Sequence, residues 1–283
     1  MSKYILTGHQ GLIGRELKRK LIREGHTIPY QIDARNGFNI LNLKTLQLNP
    51  KTERIDAIIH TAAFCKIAEC IDNPELPFEN NVRGTHEVLE FCRKNRIPKV
   101  IYFSSSRVLN KEKNTYTASK VFGEELCRGY HDSYGLDYVI IRPSTVYGGG
   151  FHDRTSRLIT EWICLALKNK TLPIFGNRDK TLDFTYVTDF CNGVILTLNQ
   201  KNEVYNISGE NEQKLTDLAD IIIKECKGGC VKFFPQEIAQ PQQVKVDINK
   251  IKALGYKPKV SLEEGVKRTV NWYKKNRSIW DGQ

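Results

Sequence analysis

Over the first 140 residues, short apolar runs alternate with segments whose apolar residues recur at helical spacing. The runs at 3–7, 27–32, 55–60, 99–103 and 137–142 have strand length, and the segments at 12–24, 76–95 and 116–134 read as amphipathic helices. Gly25 and Gly135 follow two of these helices, where a helix C-terminus favours glycine. Such alternation predicts an α/β chain whose strands form a doubly wound parallel sheet, with ligands at the carboxyl ends of the strands. Gly8, Asp33, Ala62-Ala63, Ser104 to Ser106 and Pro143 each fall just after a strand.

Past about residue 145 the rhythm changes. Tyr147-Gly148-Gly149-Gly150 reads as a loop, 154–169 as a helix, and Leu172–Phe175 as a short strand. A strand at Asp183–Val187 leads into a helix at 188–199, followed by strand Val204–Ile207, helix 214–226 and strand Val231–Phe234. A Gln/Pro loop at 236–243 precedes helices near 247–254 and 261–275. The predicted organisation is a Rossmann-type dinucleotide-binding domain over 1–150, to which 181–200 returns. A smaller, interleaved C-terminal substrate-binding lobe spans 151–283.

Composition narrows the class. At 283 residues, 40% hydrophobic and 27% charged, the chain buries an ordinary globular core. Its longest apolar runs are strand-sized and its first residues enter a strand, so neither a membrane span nor a signal peptide is expected. Eight cysteines are scattered without paired C-x-x-C motifs, which favours reduced core thiols in a cytoplasmic protein over disulfides or zinc; no metal is expected. The net charge of +11 is shared almost evenly by the two halves, and clusters such as Lys18-Arg19-Lys20 fall on a helix face. A diffusely positive surface that attracts anionic small molecules fits this better than nucleic-acid binding.

Candidate chemistry begins at Thr7-Gly8-His9-Gln10-Gly11-Leu12-Ile13-Gly14. A strand, a turn with glycine at every third position and a helix make a cradle for a pyrophosphate, because glycines admit close approach and the helix N-terminus offers free N–H groups. Asp33, 25 residues after Gly8, ends the next apolar run. Its carboxylate would accept hydrogen bonds from an adenosine ribose diol and repel a 2′-phosphate, favouring NAD over NADP; Arg35, two residues on, tempers that preference.

Tyr116 and Lys120 stand at i and i+4, on one helix face. Such a pairing arises readily by chance in a chain this rich in tyrosine and lysine. Its place gives it meaning: it follows Ser104-Ser105-Ser106, which ends the strand at 99–103, so hydroxyl, phenol and ammonium converge at one end of the cleft.

In this order the motifs resemble the extended short-chain dehydrogenase/reductase family, the NAD-dependent nucleotide-sugar epimerases and dehydratases. The further matching pieces are His60-Thr61-Ala62-Ala63, Asn81-Val82-Arg83-Gly84-Thr85, Phe103-Ser104-Ser105-Ser106, Arg142-Pro143-Ser144-Thr145-Val146-Tyr147-Gly148 and Asp183-Phe184-Thr185-Tyr186-Val187-Thr188-Asp189. The resemblance implies catalytic roles for Ser105, Tyr116 and Lys120, with Ser106 the close alternative to Ser105. A phenol titrating near 10 is a poor base at neutral pH, and Lys120 with an oxidised nicotinamide would favour its phenolate. Tyr116 would then take a sugar hydroxyl proton as hydride leaves the carbon, while Ser105 holds the substrate oxygen. The implied NAD contacts are Gly8, Gln10, Gly11, Leu12, Ile13, Asp33, Asn39, Ile40, Thr61, Ala62, Ala63, Lys66, Asn81, Ser104, Tyr116, Lys120, Pro143 and Ser144. Ser106, Arg107, Thr145 and Arg178 would face the substrate. Relatives pair the helices corresponding to 76–95 and 116–134, so a homodimer is expected.

The pattern departs from the family in three places. Tyr116 follows Ser105 by only 11 positions, and Leu109-Asn110 replace the usual Tyr-Gly. Dehydratases carry an acidic pair after the catalytic Ser/Thr, and here Ser106 and Arg107 stand there, so elimination lacks its acid and base. Leu182 replaces an arginine that binds the nucleotide diphosphate, and Gln240-Pro241-Gln242-Gln243 replaces a later R-P-G-D. Either Arg178, Lys180, Arg154 or Arg157 substitutes, or the substrate is not an ordinary nucleotide sugar. The leading expectation is an NAD-dependent sugar-nucleotide epimerase. The alternatives are a keto-sugar reductase or dehydrogenase with net cofactor turnover, then a 4,6-dehydratase, and, outside enzymes, an NAD-binding sensor or scaffold.

Overall fold

The computed structural model describes residues 1–49, 54–111, 113–151, 158–210, 212–235 and 246–281. Its centre is a six-stranded sheet of β1 (Lys3–Thr7), β2 (Thr27–Ile32), β3 (Ala57–His60), β4 (Lys99–Phe103), β5 (Asp137–Pro143) and, from later in the chain, Glu203–Ile207. The spatial order is β2-β1-β3-β4-β5 followed by Glu203–Ile207, and every neighbouring pair is parallel. Tight alternation explains why these runs are strands. Tyr4, Leu6, Ala57, Ile59, Ile101, Phe103, Val139 and Ile141 pack on one face, and Ile5, Ile58, Val100, Tyr102 and Ile140 on the other. A sheet covered on both faces is near-continuously apolar, as a parallel sheet requires.

Helix Leu12–Arg23 covers the first face, burying Leu17 and Leu21 completely. Each contributes about 2–3 kcal/mol in area removed from water. Helices Gly84–Lys94 and Thr115–Tyr134 cover the second face. The register brings strand ends level: Thr7 pairs with both Ile32 and His60, and Phe103 pairs with Ile141. One edge of the sheet therefore gathers the glycine turn, Asp33, Thr61 to Lys66, Ser104 to Ser106 and Pro143.

The expected helix over 76–95 is divided. A short turn (Glu75–Pro77) and a wide π-type turn (Phe78–Arg83) precede helix Gly84–Lys94. A helix at Ile67–Asp72 and strands at Thr145–Tyr147 and Glu212–Lys214 add to the predicted elements.

The smaller lobe has its own core around Trp162, Ile163, Leu218, Ile222 and Tyr273. Strand Thr181–Tyr186 lies in a three-stranded sheet between Thr145–Tyr147 and Glu212–Lys214, while Thr171–Phe175 pairs with Cys230–Phe234. The segment 181–200 thus divides: its strand stays with the small lobe, and helix Val187–Thr197 packs on the large core through Phe190 and Val194. Val246, Ile248, Ile251 and Tyr256 also join the large core. Among the described residues no helix is long and apolar enough to cross a membrane.

Candidate active site

The glycine turn packs against the loop after β3. The Gly8 N–H donates to the Ile32 carbonyl at 2.7 Å, and a Cβ on Gly8, which has φ +70°, would lie 2.6 Å from Ala62 N. A Cβ on Gly14 would meet the Gly8 carbonyl at 2.1 Å, so helix Leu12–Arg23 can start this close only with glycine there. Above Gly11 the space is open: an added Cβ meets only the Gly8 carbonyl, at 3.4 Å. Gly11 caps the helix without a side chain. The turn is therefore tight underneath and leaves helix N–H groups facing free space, which fits a pyrophosphate.

Asp33 lies beside that space, bonded to the glycine turn. Its carboxylate is buried and accepts the backbone N–H groups of Gln10, at 2.9 Å, and Arg35, at 3.0 Å. The Arg35 guanidinium lies 3.6 Å from Asp33 Oδ1 and 5.1 Å from the Phe151 ring, whose centroid is 5.7 Å from Arg15. Asn39 caps the turn Ile40–Thr45 by accepting the Leu41 N–H, and Ile40 buries its side chain in the core. Leu12 is buried and Ile13 packs on the large core, so both present main-chain atoms to the cradle.

The loop after β3 carries the site toward the tyrosine helix. The Thr61 hydroxyl donates to the Thr7 carbonyl at 2.6 Å, and the Ala62 N–H donates to Thr7 Oγ1 at 3.2 Å. Farther along, the side chain of Asn81 brackets Phe64 and donates to Ser119 Oγ at 3.0 Å. Its amide is spent within the protein, holding Ala63 to Lys66 beside the helix. Lys66 pairs with Glu69 at 2.6 Å.

Tyr116 and Lys120 are both buried on helix Thr115–Tyr134. Asn114 caps that helix by accepting the Thr117 N–H at 2.8 Å, and Gly123 lets it lie against β4, since a Cβ there would strike the Tyr102 hydroxyl at 2.2 Å. Lys120 Nζ donates to the Phe103 carbonyl at 2.9 Å and lies 5.2 Å from the Tyr102 ring centroid. Burial pulls its pKa down to about 8, opposed by the nearby Cys65, Glu124, Cys127 and Cys70. His60 hydrogen-bonds Thr7 and Thr85 and is held neutral, its pKa lowered to about 3 by burial and by Lys120.

The three serines point to different tasks. Ser104 Oγ donates to Glu124 Oε1 at 2.6 Å, which ties that hydroxyl to a buried carboxylate. Ser105 caps the turn Ser106–Leu109, accepting the Arg107 N–H on its Oγ at 3.2 Å, and Ser106 is buried beside it. Burial lowers the Arg107 guanidinium pKa, and the nearby Tyr116 opposes that shift. Glu124 further binds Arg142 and Arg128. At the end of β5, next to Pro143, Ser144 Oγ lies 2.7 Å from Thr185 Oγ1. Thr145 pairs with Phe184.

Arg178 is exposed in the smaller lobe, its guanidinium 4.3 Å from the Phe233 ring centroid. Leu182 packs against the small-lobe core. Arg154, Arg157 and 240–243 lie outside the described residues. Sequence reasoning missed Glu124 and Arg142 as supports, although Glu124 falls one turn after Lys120 on the same face. It also missed Phe151, for which no sequence signal exists.

A parallel sheet with a glycine cradle, an acidic residue after its second strand and a Ser–Tyr–Lys set at the same edge defines an enzyme of the short-chain dehydrogenase/reductase type. Residues 4–208 match the model of the NAD dependent epimerase/dehydratase family, and the chain belongs to that family. It is 32% identical to a putative UDP-glucose 4-epimerase of Methanocaldococcus jannaschii, over 96% of this chain and 98% of that protein. It is 29% identical to a UDP-glucuronate 4-epimerase of Thermodesulfobacterium geofontis, over 98% and 97%. A UDP-glucose 4-epimerase of Thermus thermophilus, solved with NAD, shares its fold with a TM-score of 0.86 at 22% identity, over 97% of this chain and 99% of that one. NAD is accordingly the cofactor, and the cradle fits it.

Proposed function

We propose that this protein is an NAD-dependent sugar-nucleotide epimerase that oxidises one sugar carbinol and reduces the resulting ketone from the opposite face. The observation that carries this reading is the buried Tyr116–Lys120 pair beside Ser105, with arginine rather than a carboxylate two residues after that serine. NAD, when bound, takes up the hydride and returns it. Gly8 to Gly14 would hold its pyrophosphate, Asp33 its adenosine ribose, and Lys120 the ribose next to the nicotinamide.

The chain's own groups handle the proton. Tyr116 accepts it from the carbinol oxygen and gives it back, and the Lys120 ammonium favours the phenolate between those events. Ser105 Oγ donates to the carbonyl oxygen as it forms. Elimination would need an acid and a base after the serine, and Ser106 and Arg107 supply neither. The two similar epimerases support the reading and suggest a UDP-linked sugar.

The same reading includes a homodimer and a cytoplasmic location. Helix Thr115–Tyr134 leaves Phe122 48% and Tyr134 59% exposed, an apolar face suited to a second copy. No disulfide joins any of the eight cysteines, as a reducing compartment favours. The test is to incubate the NAD-loaded protein with UDP-linked sugars and read product stereochemistry by proton NMR. An epimer formed without net absorbance at 340 nm is expected; steady NADH accumulation without epimer would replace the reading by a net dehydrogenase.

A further inference from the structure

Arg107 sits two residues after Ser105 and holds that serine's hydroxyl with its own N–H. Its side chain is half-buried and lies near Tyr116, yet it forms no ion pair with any described carboxylate. The contrast with Arg128 and Arg142 is direct. Both are partly buried, and both bond the carboxylate of Glu124, which also takes the Ser104 hydroxyl. A cation held beside a candidate reacting centre with no counter-ion from the protein is open to the anion of a ligand.

Resting on the epimerase reading, we propose that Arg107 binds a carboxylate carried by the sugar ring, which makes the substrate a nucleotide-linked hexuronate. Tyr116 takes the proton of the reacting carbinol, so the group that meets Arg107 is attached close to that carbon. The nucleotide diphosphate is joined at the anomeric carbon, whose oxygen is esterified and has no proton to give. A carboxylate on a ring carbon next to the carbinol lies within reach of both side chains. The planar guanidinium matches a carboxylate through two parallel hydrogen bonds, whereas a neutral hydroxymethyl group would leave the cation uncompensated.

The experiment compares UDP-glucuronate, UDP-glucose and UDP on the NAD-loaded protein. Binding is read by calorimetry and turnover by NMR, for the wild type, Arg107→Met and Arg107→Lys. The wild type should favour the uronate over the hexose, and Arg107→Met should lower that ratio by about 50-fold. Arg107→Lys should restore part of it, because a point charge replaces the fork. A wild type that prefers UDP-glucose overturns the proposal, as does a ratio unchanged by Arg107→Met. Equal weakening of UDP and UDP-glucuronate overturns it by assigning the arginine to the diphosphate. A pH profile shifted identically for both sugars, with the ratio intact, overturns it by assigning the arginine to Tyr116 alone. Should neither sugar be epimerised while the uronate binding preference still depends on Arg107, the epimerase reading fails and the carboxylate site stands.

Discussion

Glu124 and Arg142 form a two-pronged ion pair, with Nε to Oε1 at 2.8 Å and Nη2 to Oε2 at 2.5 Å. The carboxylate belongs to the helix that carries Tyr116 and Lys120. The guanidinium precedes Pro143 at the end of β5, and Ser104, next to Ser105, donates to the same carboxylate. One buried acid therefore ties together the tyrosine helix, the end of β4 and the end of β5. Replacing Glu124 with Gln leaves Arg142 without its counter-charge and should lower unfolding free energy by about 3 kcal/mol. Urea denaturation checks this, and the Glu124→Gln/Arg142→Met double variant should recover part of the loss. An additive double variant would mean the pair is not coupled.

Asn81 uses its whole amide to fix the loop after β3, accepting the Phe64 N–H at 2.8 Å and donating to the Phe64 carbonyl at 2.9 Å. Asn81→Ala should release Ala63 to Lys66 and raise the dissociation constant for NAD by about tenfold. Calorimetric titration with NAD measures it; unchanged affinity would show that the loop holds its place without this amide.

Two glycines of the cradle should respond in opposite ways. Gly14→Ala places a methyl 2.1 Å from the Gly8 carbonyl and should destabilise the fold by roughly 2 kcal/mol. Gly11→Ala meets nothing nearer than 3.4 Å. It should leave the melting temperature of the NAD-free protein nearly unchanged while weakening NAD binding, because the methyl enters the space the pyrophosphate needs. Normal NAD binding by Gly11→Ala would place the phosphates elsewhere.

Much of this was legible beforehand. β1 and β4 are readable because each is a short apolar run with a break on either side, and both faces of the sheet bury their residues. The wide turn Phe78–Arg83 was not, because helical periodicity runs through it, and what reshapes it is Asn81 reaching Phe64, 17 residues away. Strands Thr145–Tyr147 and Glu212–Lys214 are three residues long, too short for a period, and exist through pairing with Thr181–Tyr186. At the site, the order of serine, tyrosine and lysine is visible in the sequence. The division of labour between Ser104, tied to Glu124, and Ser105, tied to the Arg107 N–H, depends on side-chain geometry that no spacing encodes.

Acid sensitivity has a named source in His60. In the folded protein burial keeps its pKa near 3, while in the unfolded chain it titrates near the ordinary 6.5. Between those values the unfolded state binds the extra proton, so stability falls as pH drops from 6.5 toward 3. From pH 7.5 to 4.5 the His60 contribution is a loss of about 3 kcal/mol. Urea midpoints at the two pH values test it: His60→Gln should be less stable at pH 7.5 yet show a shallower decline. An equal decline in both proteins would remove His60 as the cause.

In the proposed reaction the Tyr116 hydroxyl carries the proton of the reacting carbinol. The most direct measurement is the rate of epimer formation by Tyr116→Phe, followed by NMR, with bound NAD and melting temperature recorded on the same sample. A loss of about 10³-fold is expected, with NAD content and stability essentially preserved. Undiminished epimer formation by the NAD-loaded Tyr116→Phe protein would contradict it.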